Sequence, residues 1–240
     1  MNHDKSTSEG RRLIIAVDGP AGSGKSSVCQ EACSQMNWIY LNTGALYRAI
    51  AFIGQERGIN IHDEKLMLEV AVDFVGNFCW DIDKNKLIYK NTDLSESLLS
   101  ENLGHMASSV ASQAKIRELL VPVQREIIFS APRTVLADGR DIGTVIAPDA
   151  DVKIFMTASI EARAQRRLQQ LQNRTNQHKK SEIESDFESI KVGITQRDKQ
   201  DSQRSFAPLT QAKDAVLFDT SHLDKAQSVA KLIDIIKNKK

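Results

Sequence analysis

The residues best placed to do chemistry lie in one stretch, Gly19-Pro20-Ala21-Gly22-Ser23-Gly24-Lys25-Ser26-Ser27. Glycine, four residues, then Gly-Lys-Ser is the spacing of a phosphate-binding loop. Glycines let the backbone fold back until successive N–H groups face one concavity, which suits the oxygens of a polyphosphate. The helix that follows adds its unpaired first-turn N–H groups and the positive end of its dipole. Lys25 can reach β- and γ-phosphates, and the Ser26 hydroxyl can ligate a magnesium ion bridging them. An apolar run, Leu13 to Val17, precedes the loop and ends at Asp18, and helical spacing resumes at Lys25, so the loop joins a buried strand to a helix.

A second set of polar residues, Asp138-Gly139-Arg140-Asp141, follows another apolar run, Thr134 to Ala137. A carboxylate at Asp138 can hold the magnesium through water; the competing readings are a helix cap or an ion pair with Arg140. Arginine is frequent elsewhere, at Arg48, Arg117, Arg174, Arg197 and Arg204, with Arg163, Arg166 and Arg167 clustered. One arginine alone reads as a solvated helix face. The cluster ahead of a polar stretch, and Arg140 at a strand end, read instead as guanidinium groups that bind phosphate or neutralise a phosphoryl group in transfer. The five histidines are scattered, and Cys29 and Cys33, one turn apart, suit small apolar packing better than a metal site.

The elements that must position these groups alternate along the chain. A helix from Lys25 to about Met36 leads to an apolar run at Trp38 to Leu41, and a helix capped by Thr43 or Asn42 runs to about Arg57. A helix at Glu64 to Val75 precedes two short runs, Phe78 to Ile82 and Lys86 to Tyr89, which flank a polar turn and read as a hairpin. Residues 101–129 have helical spacing broken near Ser112 to Ala114, with Pro122 marking a kink or a boundary. Val152 to Met156 is a fourth strand; a helix then runs into the polar Asn173 to Lys180, and another reaches about Ser202. Ala215 to Phe218 is a fifth strand, and Asp224 to Lys237 a last helix. Five apolar strands alternating with helices predict a parallel sheet covered on both faces. Asp18, Asn42 and Asp138 end three of those strands, where such sheets bind ligands.

Composition narrows the function. A net charge of +1 with 26% charged residues offers no global basic field for nucleic acid. No apolar run nears the roughly 18 to 20 residues of a membrane helix, and the polar start, MNHDKSTSEGRR, has no signal-peptide core. The expectation is a cytoplasmic protein with a flexible leader at 1–11. The Asn-Lys-x-Asp guanine reader of GTPases is absent, since Asn85-Lys86 continues as Leu-Ile. A short, nearly neutral chain also fits poorly with a motor or recombination ATPase.

With these residues in place, the chain resembles the bacterial cytidylate kinases. GPAGSGKSS, NTGALYR, ADGRDIGT, ASIEARAQRR and the run from Arg197-Asp198 through Asp201 and Arg204 to APL occur in that family's order, and the likeness covers about residues 12 to 237. The resemblance implies a P-loop NTPase fold, α/β, with a five-stranded parallel sheet, an acceptor-nucleotide insertion and a short lid. Its implied parts are an ATP-binding core at 12–42, 130–172 and 203–240, a CMP-binding region at 43–129 with a hairpin at about 76–95, and the lid and next helix at 173–202.

The implied activity is transfer of the γ-phosphate of ATP, with Mg2+, to CMP or dCMP, by a monomer without nucleic-acid or membrane partners. By similarity Thr43, Arg48 and Arg140 hold the acceptor's side, Arg117, Asp141 and Arg204 read cytosine, and Ser108, Arg197 and Asp201 lie near the ribose. Lys25, Asp138, Arg163 and Arg167, with Arg166 or Arg174, serve the transfer. Asn42 stands where the family commonly has aspartate. A phosphate-loop kinase for another small acceptor, such as a different nucleotide or shikimate, is the near alternative. An ATP sensor is the distant one, disfavoured because a sensor needs no acceptor-side groups.

Overall fold

A computed structural model describes residues 11–174 and 180–239. The centre of the expected flap, 175–179, and the leader up to residue 10 lie outside the described residues. Arg11, placed in the leader by sequence, is ion-paired to Asp151 at 2.9 Å, and the other Asp151 oxygen accepts from the Ile14 N–H.

The chain opens with β1 (Ile14–Asp18), α1 (Lys25–Met36), β2 (Ile39–Asn42) and α2 (Gly44–Glu56). Next come α3 (Glu64–Asn77), the short strands β3 (Phe78–Asp81), β4 (Lys86–Tyr89) and β5 (Thr92–Asp93), then α4 (Glu101–Ser112) and α5 (Ala114–Ser130). The second half comprises β6 (Val135–Gly139), β7 (Val152–Thr157), α6 (Ile160–Arg174), α7 (Lys180–Ser202), β8 (Val216–Asp219) and α8 (Lys225–Asn238). A wide helical turn, Ile142–Ile146, lies between β6 and β7.

The main sheet is parallel throughout, in the order β2, β6, β1, β7, β8. The central strands are buried on both faces, which is why their sequences are continuous apolar runs rather than alternating ones. One face packs on α1 and α8 through Val28, Cys29, Ala32, Cys33, Val229 and Leu232. Both helix cysteines are thus core side chains, as their spacing predicts. The other face meets α5 and the 142–146 turn through Ile128, Ile142 and Ile146.

A second core, among α2, α3, α4, α5 and β4, is built on Leu46, Ile50, Met67, Phe74 and Leu120. Trp80 of β3 packs against this core and also against the cluster on the sheet face, so it sits at the seam of the two. The hairpin expected by sequence is a three-stranded antiparallel sheet, because Thr92–Asp93 adds to β4. A two-residue strand carries too little alternation to be read from sequence. Pro122 neither ends nor divides α5, which continues from Ala114 to Ser130.

Candidate active site

The loop after β1 is shaped by its glycines. Gly19 has φ 151°, and a Cβ there would fall 2.0 Å from the Met156 carbonyl oxygen of the adjacent β7. Gly24, with φ 88°, precedes α1, whose first turn has no side-chain cap, so its N–H groups are left for a ligand. Lys25 is turned back on the loop in this conformation. Its Nζ donates to the carbonyls of Gly19 (2.7 Å) and Pro20 (2.8 Å) and to Ser23 Oγ (3.3 Å). Burial, helped by the nearby Arg140 charge, lowers the ammonium pKa to about 7. Ser23 donates to the Pro20 carbonyl and Ser27 to that of Gly24, both within the loop, while Ser26 is exposed to the cleft.

The end of β6 forms the opposite wall. Asp138 is buried, and its Oδ2 accepts from the Tyr40 hydroxyl at 3.0 Å. Its carbonyl accepts from the Thr43 hydroxyl at 2.9 Å. Thr43 therefore occupies the cap position of α2 without capping it, because the strand-end carbonyl takes its hydroxyl. Nor does Arg140 pair with Asp138: its Nε donates to Asp201 Oδ2 at 2.7 Å. Burial opposes the charge on Arg140, but Asp201 more than offsets it; burial likewise pushes Asp201 up, and Arg140 with Arg204 draws it below the usual carboxylate range.

Asp18, which the sequence places only at a strand end, accepts from the N–H groups of Ile142 (2.8 Å) and Gly143 (2.7 Å) and so anchors the turn that follows Arg140 and Asp141. Burial raises its pKa to about 7 against the pull of those two bonds.

Arg117 of α5 is 1% exposed, donates to Asp141 through Nη2 and to the Ala111 carbonyl at 3.3 Å, and lies 5.4 Å from the centroid of the Tyr47 ring. Arg204 donates from Nε to the Asp201 carbonyl at 3.1 Å. Three guanidinium nitrogens here, Arg117 Nε, Arg197 Nε and Arg204 Nη2, are buried without a hydrogen-bond partner. Buried donors left unpaired cost free energy, so such a set marks a place shaped for acceptor atoms of a ligand. Ser108 lines the same cavity, its hydroxyl only 3.4 Å from the Gly104 carbonyl.

Arg48 and Arg197 have no carboxylate within ion-pair distance among the described residues. Burial lowers the pKa of both guanidinium groups, that of Arg197 to about 10, with neighbouring arginines adding to the effect. A buried guanidinium pair with no carboxylate in direct contact suits an anion.

Two cavities open on these walls. One, of about 1600 Å³, runs along the glycine loop, α6 and α7; the other, of about 100 Å³, is lined by Tyr47, Ser108, Arg117, Asp141 and Arg204. They share Ser26, Asn42, Arg48, Arg140 and Arg197. The junction of the two spaces is therefore cationic and lies beside the loop's serine.

The arginines of α6 divide by role. Arg163 is buried; its Nη1 donates to the Ala21 carbonyl at 3.0 Å and to Asp198. Arg166, grouped by sequence with the transfer arginines, lines the large cavity and also ties elements together. It donates to the carbonyls of Ser23, Thr220 and Leu223, tying the loop to the segment after β8. Arg167 faces the large cavity and donates to Gln170 Oε1 at 3.1 Å. The side chain of Arg174 lies outside the described residues. Tyr40, Tyr47 and Asp198 also belong to these walls, although their sequence positions alone assign them no role. Tyr40 carries a faint signal as a hydroxyl-bearing residue inside an apolar run, and Tyr47 and Asp198 lie within motifs that carry the family resemblance.

A glycine loop at the end of the central strand of a parallel sheet, facing a second pocket across an arginine-lined junction, defines the class of phosphate-loop kinases. The family model for cytidylate kinase matches residues 15–238. The cytidylate kinase of Enterococcus faecalis is 38% identical over 228 residues, covering 95% of this chain and 97% of its own. That of Azotobacter vinelandii is 37% identical over 230 residues, covering 94% and 96%. The chain belongs to the cytidylate kinase family, a family of phosphotransferases.

Proposed function

We propose that this chain transfers the γ-phosphate of ATP to CMP or dCMP, giving ADP and the corresponding diphosphate. The observation that carries the reading is the junction at Ser26, Arg48, Arg140 and Arg197, where a phosphate loop meets a pocket lined with unpartnered buried donors. ATP lies along residues 19–27, with Lys25 leaving the loop carbonyls for its β- and γ-phosphates. Arg48 and Arg140, with Thr43 beside them, take the acceptor's phosphate. Ser108, Arg197 and Asp201 face its ribose.

Asp141 accepts from the cytosine amino group while Arg117 and Arg204 donate to ring acceptors, a pattern that uracil leaves unsatisfied. The phosphate acceptor is already an anion, so the protein supplies position and charge neutralisation rather than a general base. Arg163 and Arg167 carry the latter for the group in flight, and the residues of 173–202 close over it, keeping water out. Residues 43–129 form the acceptor-binding region in this reading.

The donor set fits Mg2+. The Ser26 hydroxyl and the Asp138 carboxylate, through water, are hard oxygen donors, and no group of three or more His, Cys, Asp or Glu side chains among the described residues could hold a metal by itself. That sparse supply suits an ion carried mainly by phosphates and water. When bound, the ion neutralises charge on the β- and γ-oxygens. The reading extends to a monomer in the cytoplasm without nucleic-acid or membrane partners; among the described residues no helix is long and apolar enough to cross a membrane.

The test is a coupled assay of ADP formation from ATP and magnesium against CMP, dCMP, UMP, AMP, GMP, dTMP and shikimate. Turnover confined to the cytidine nucleotides is expected. Turnover on another acceptor alone would discard the acceptor-side assignments and leave the phosphate-loop fold standing.

A further inference from the structure

Asp198 stands where the two halves of the site touch. Its Oδ1 accepts from the Ala21 N–H of the phosphate loop at 3.2 Å, its Oδ2 accepts from Arg163 Nη1, and the same Arg163 nitrogen donates to the Ala21 carbonyl at 3.0 Å. A carboxylate thus occupies a loop N–H and a guanidinium together, the same kinds of partner that a terminal phosphate would take. The packing around this ring is close: a Cβ on Gly22 would meet Arg163 Cβ at 3.4 Å and Ile194 Cδ1 of α7 at 3.7 Å. Three residues further along α7, on the same side of the helix, Asp201 is bonded to Arg140 in the acceptor cavity, and Arg197 lines the junction. The turn of α7 that restrains Arg163 is therefore also the turn that reads the acceptor side.

We propose that Asp198 is a positioning residue that keeps Arg163 off the donor's terminal phosphate until an acceptor engages α7, and so makes the site discriminate the acceptor's phosphate from water. This rests on the assignment of Arg163 to the transferring group. The reaction it suppresses is hydrolysis: water attacks the γ-phosphorus, the bond to the β–γ bridging oxygen breaks, ADP leaves, and inorganic phosphate and a proton are released. With no acceptor, Arg140 holds Asp201, α7 stays seated, and the Asp198 carboxylate holds Arg163 against Ala21. An acceptor phosphate competes with Asp201 for Arg140 and reaches Arg197, which loosens the same turn and frees Arg163 for transfer.

The experiment measures ADP release from MgATP with and without CMP for the wild type, Asp198→Asn and Asp198→Glu. In Asp198→Asn the ratio of acceptor-free to CMP-dependent release rises about tenfold, the factor one charge-assisted hydrogen bond is worth, with a KM for CMP at or below the wild-type value, because the acceptor no longer works against that restraint. Asp198→Glu keeps the charge and retains a near wild-type ratio. A ratio that is unchanged or lower in Asp198→Asn, or a Glu variant that behaves like Asn, overturns the proposal. If Asp198→Asn does not fold, Asp198→Ser provides the same reading, since a hydroxyl accepts from Ala21 but brings no charge to Arg163. Wild-type protein whose ADP release ignores CMP would sink the kinase assignment itself, a result distinct from any behaviour of the variants.

Discussion

Arg117 and Asp141 form an ion pair with side chains only 2% and 7% exposed, in the lining of the smaller cavity. Removing one member leaves the other charge buried without compensation, a loss of about 3 kcal/mol or more. Asp141→Asn is the milder test because it keeps the shape. Its CMP turnover should fall well below wild type and its CMP-to-UMP selectivity should shrink, while the KM for ATP stays within about twofold. A selectivity that survives the substitution takes Asp141 out of base reading.

Lys25 gives a pH signature. Burial holds its ammonium pKa near 7, and a triphosphate would return it toward its ordinary range. Binding then takes up a proton above pH 7, and ATP affinity falls as pH rises through that value. Titration calorimetry in two buffers of different ionisation enthalpy measures the uptake. Lys25→Met should lose it along with phosphoryl transfer, its far-ultraviolet circular dichroism unchanged.

Asp18 should dominate one slope of the stability curve. A carboxyl raised from 3.8 to about 7 holds its proton in the folded state after the unfolded chain has released it. Folding stability therefore declines between about pH 4 and pH 7 on account of this group. Denaturant melts across that window should show a shallower decline for Asp18→Asn. Asp18→Ala should also cost about 1–3 kcal/mol for each of the two N–H groups it orphans, those of Ile142 and Gly143.

Gly19→Ala brings a methyl group to 2.0 Å from the Met156 carbonyl oxygen. Nothing flexible is there to yield, since the obstacle is the backbone of a central strand. The expected cost exceeds the roughly 1–3 kcal/mol of ordinary overpacking, visible as a large fall in melting temperature or as no soluble product.

The order of strands and helices was legible because parallel strands buried on both faces must be apolar throughout, as in Ile15, Ala16 and Val17. The loop was legible because backbone geometry demands glycine at fixed spacings. What stayed hidden depends on partners far away in the chain. Nothing near Arg166 says that it will serve three carbonyls at Ser23, Thr220 and Leu223, and nothing near Thr43 says that a strand-end carbonyl will claim its hydroxyl. Pro122 reads as a helix breaker from local rules, yet α5 runs through it, held by apolar neighbours such as Leu120 and Ile128 in two different cores.

Trp80 rests against the second core and the cluster on the α5 face of the sheet, and it also lines the large cavity. The chain has one other indole, Trp38, on the far side of the sheet near α1 and α8. With Trp38→Phe as a quiet background, the emission of Trp80 becomes an optical gauge of the seam. A change in its maximum on adding CMP or ATP would report, in real time and without a label, which nucleotide moves the helices around that second core against the sheet.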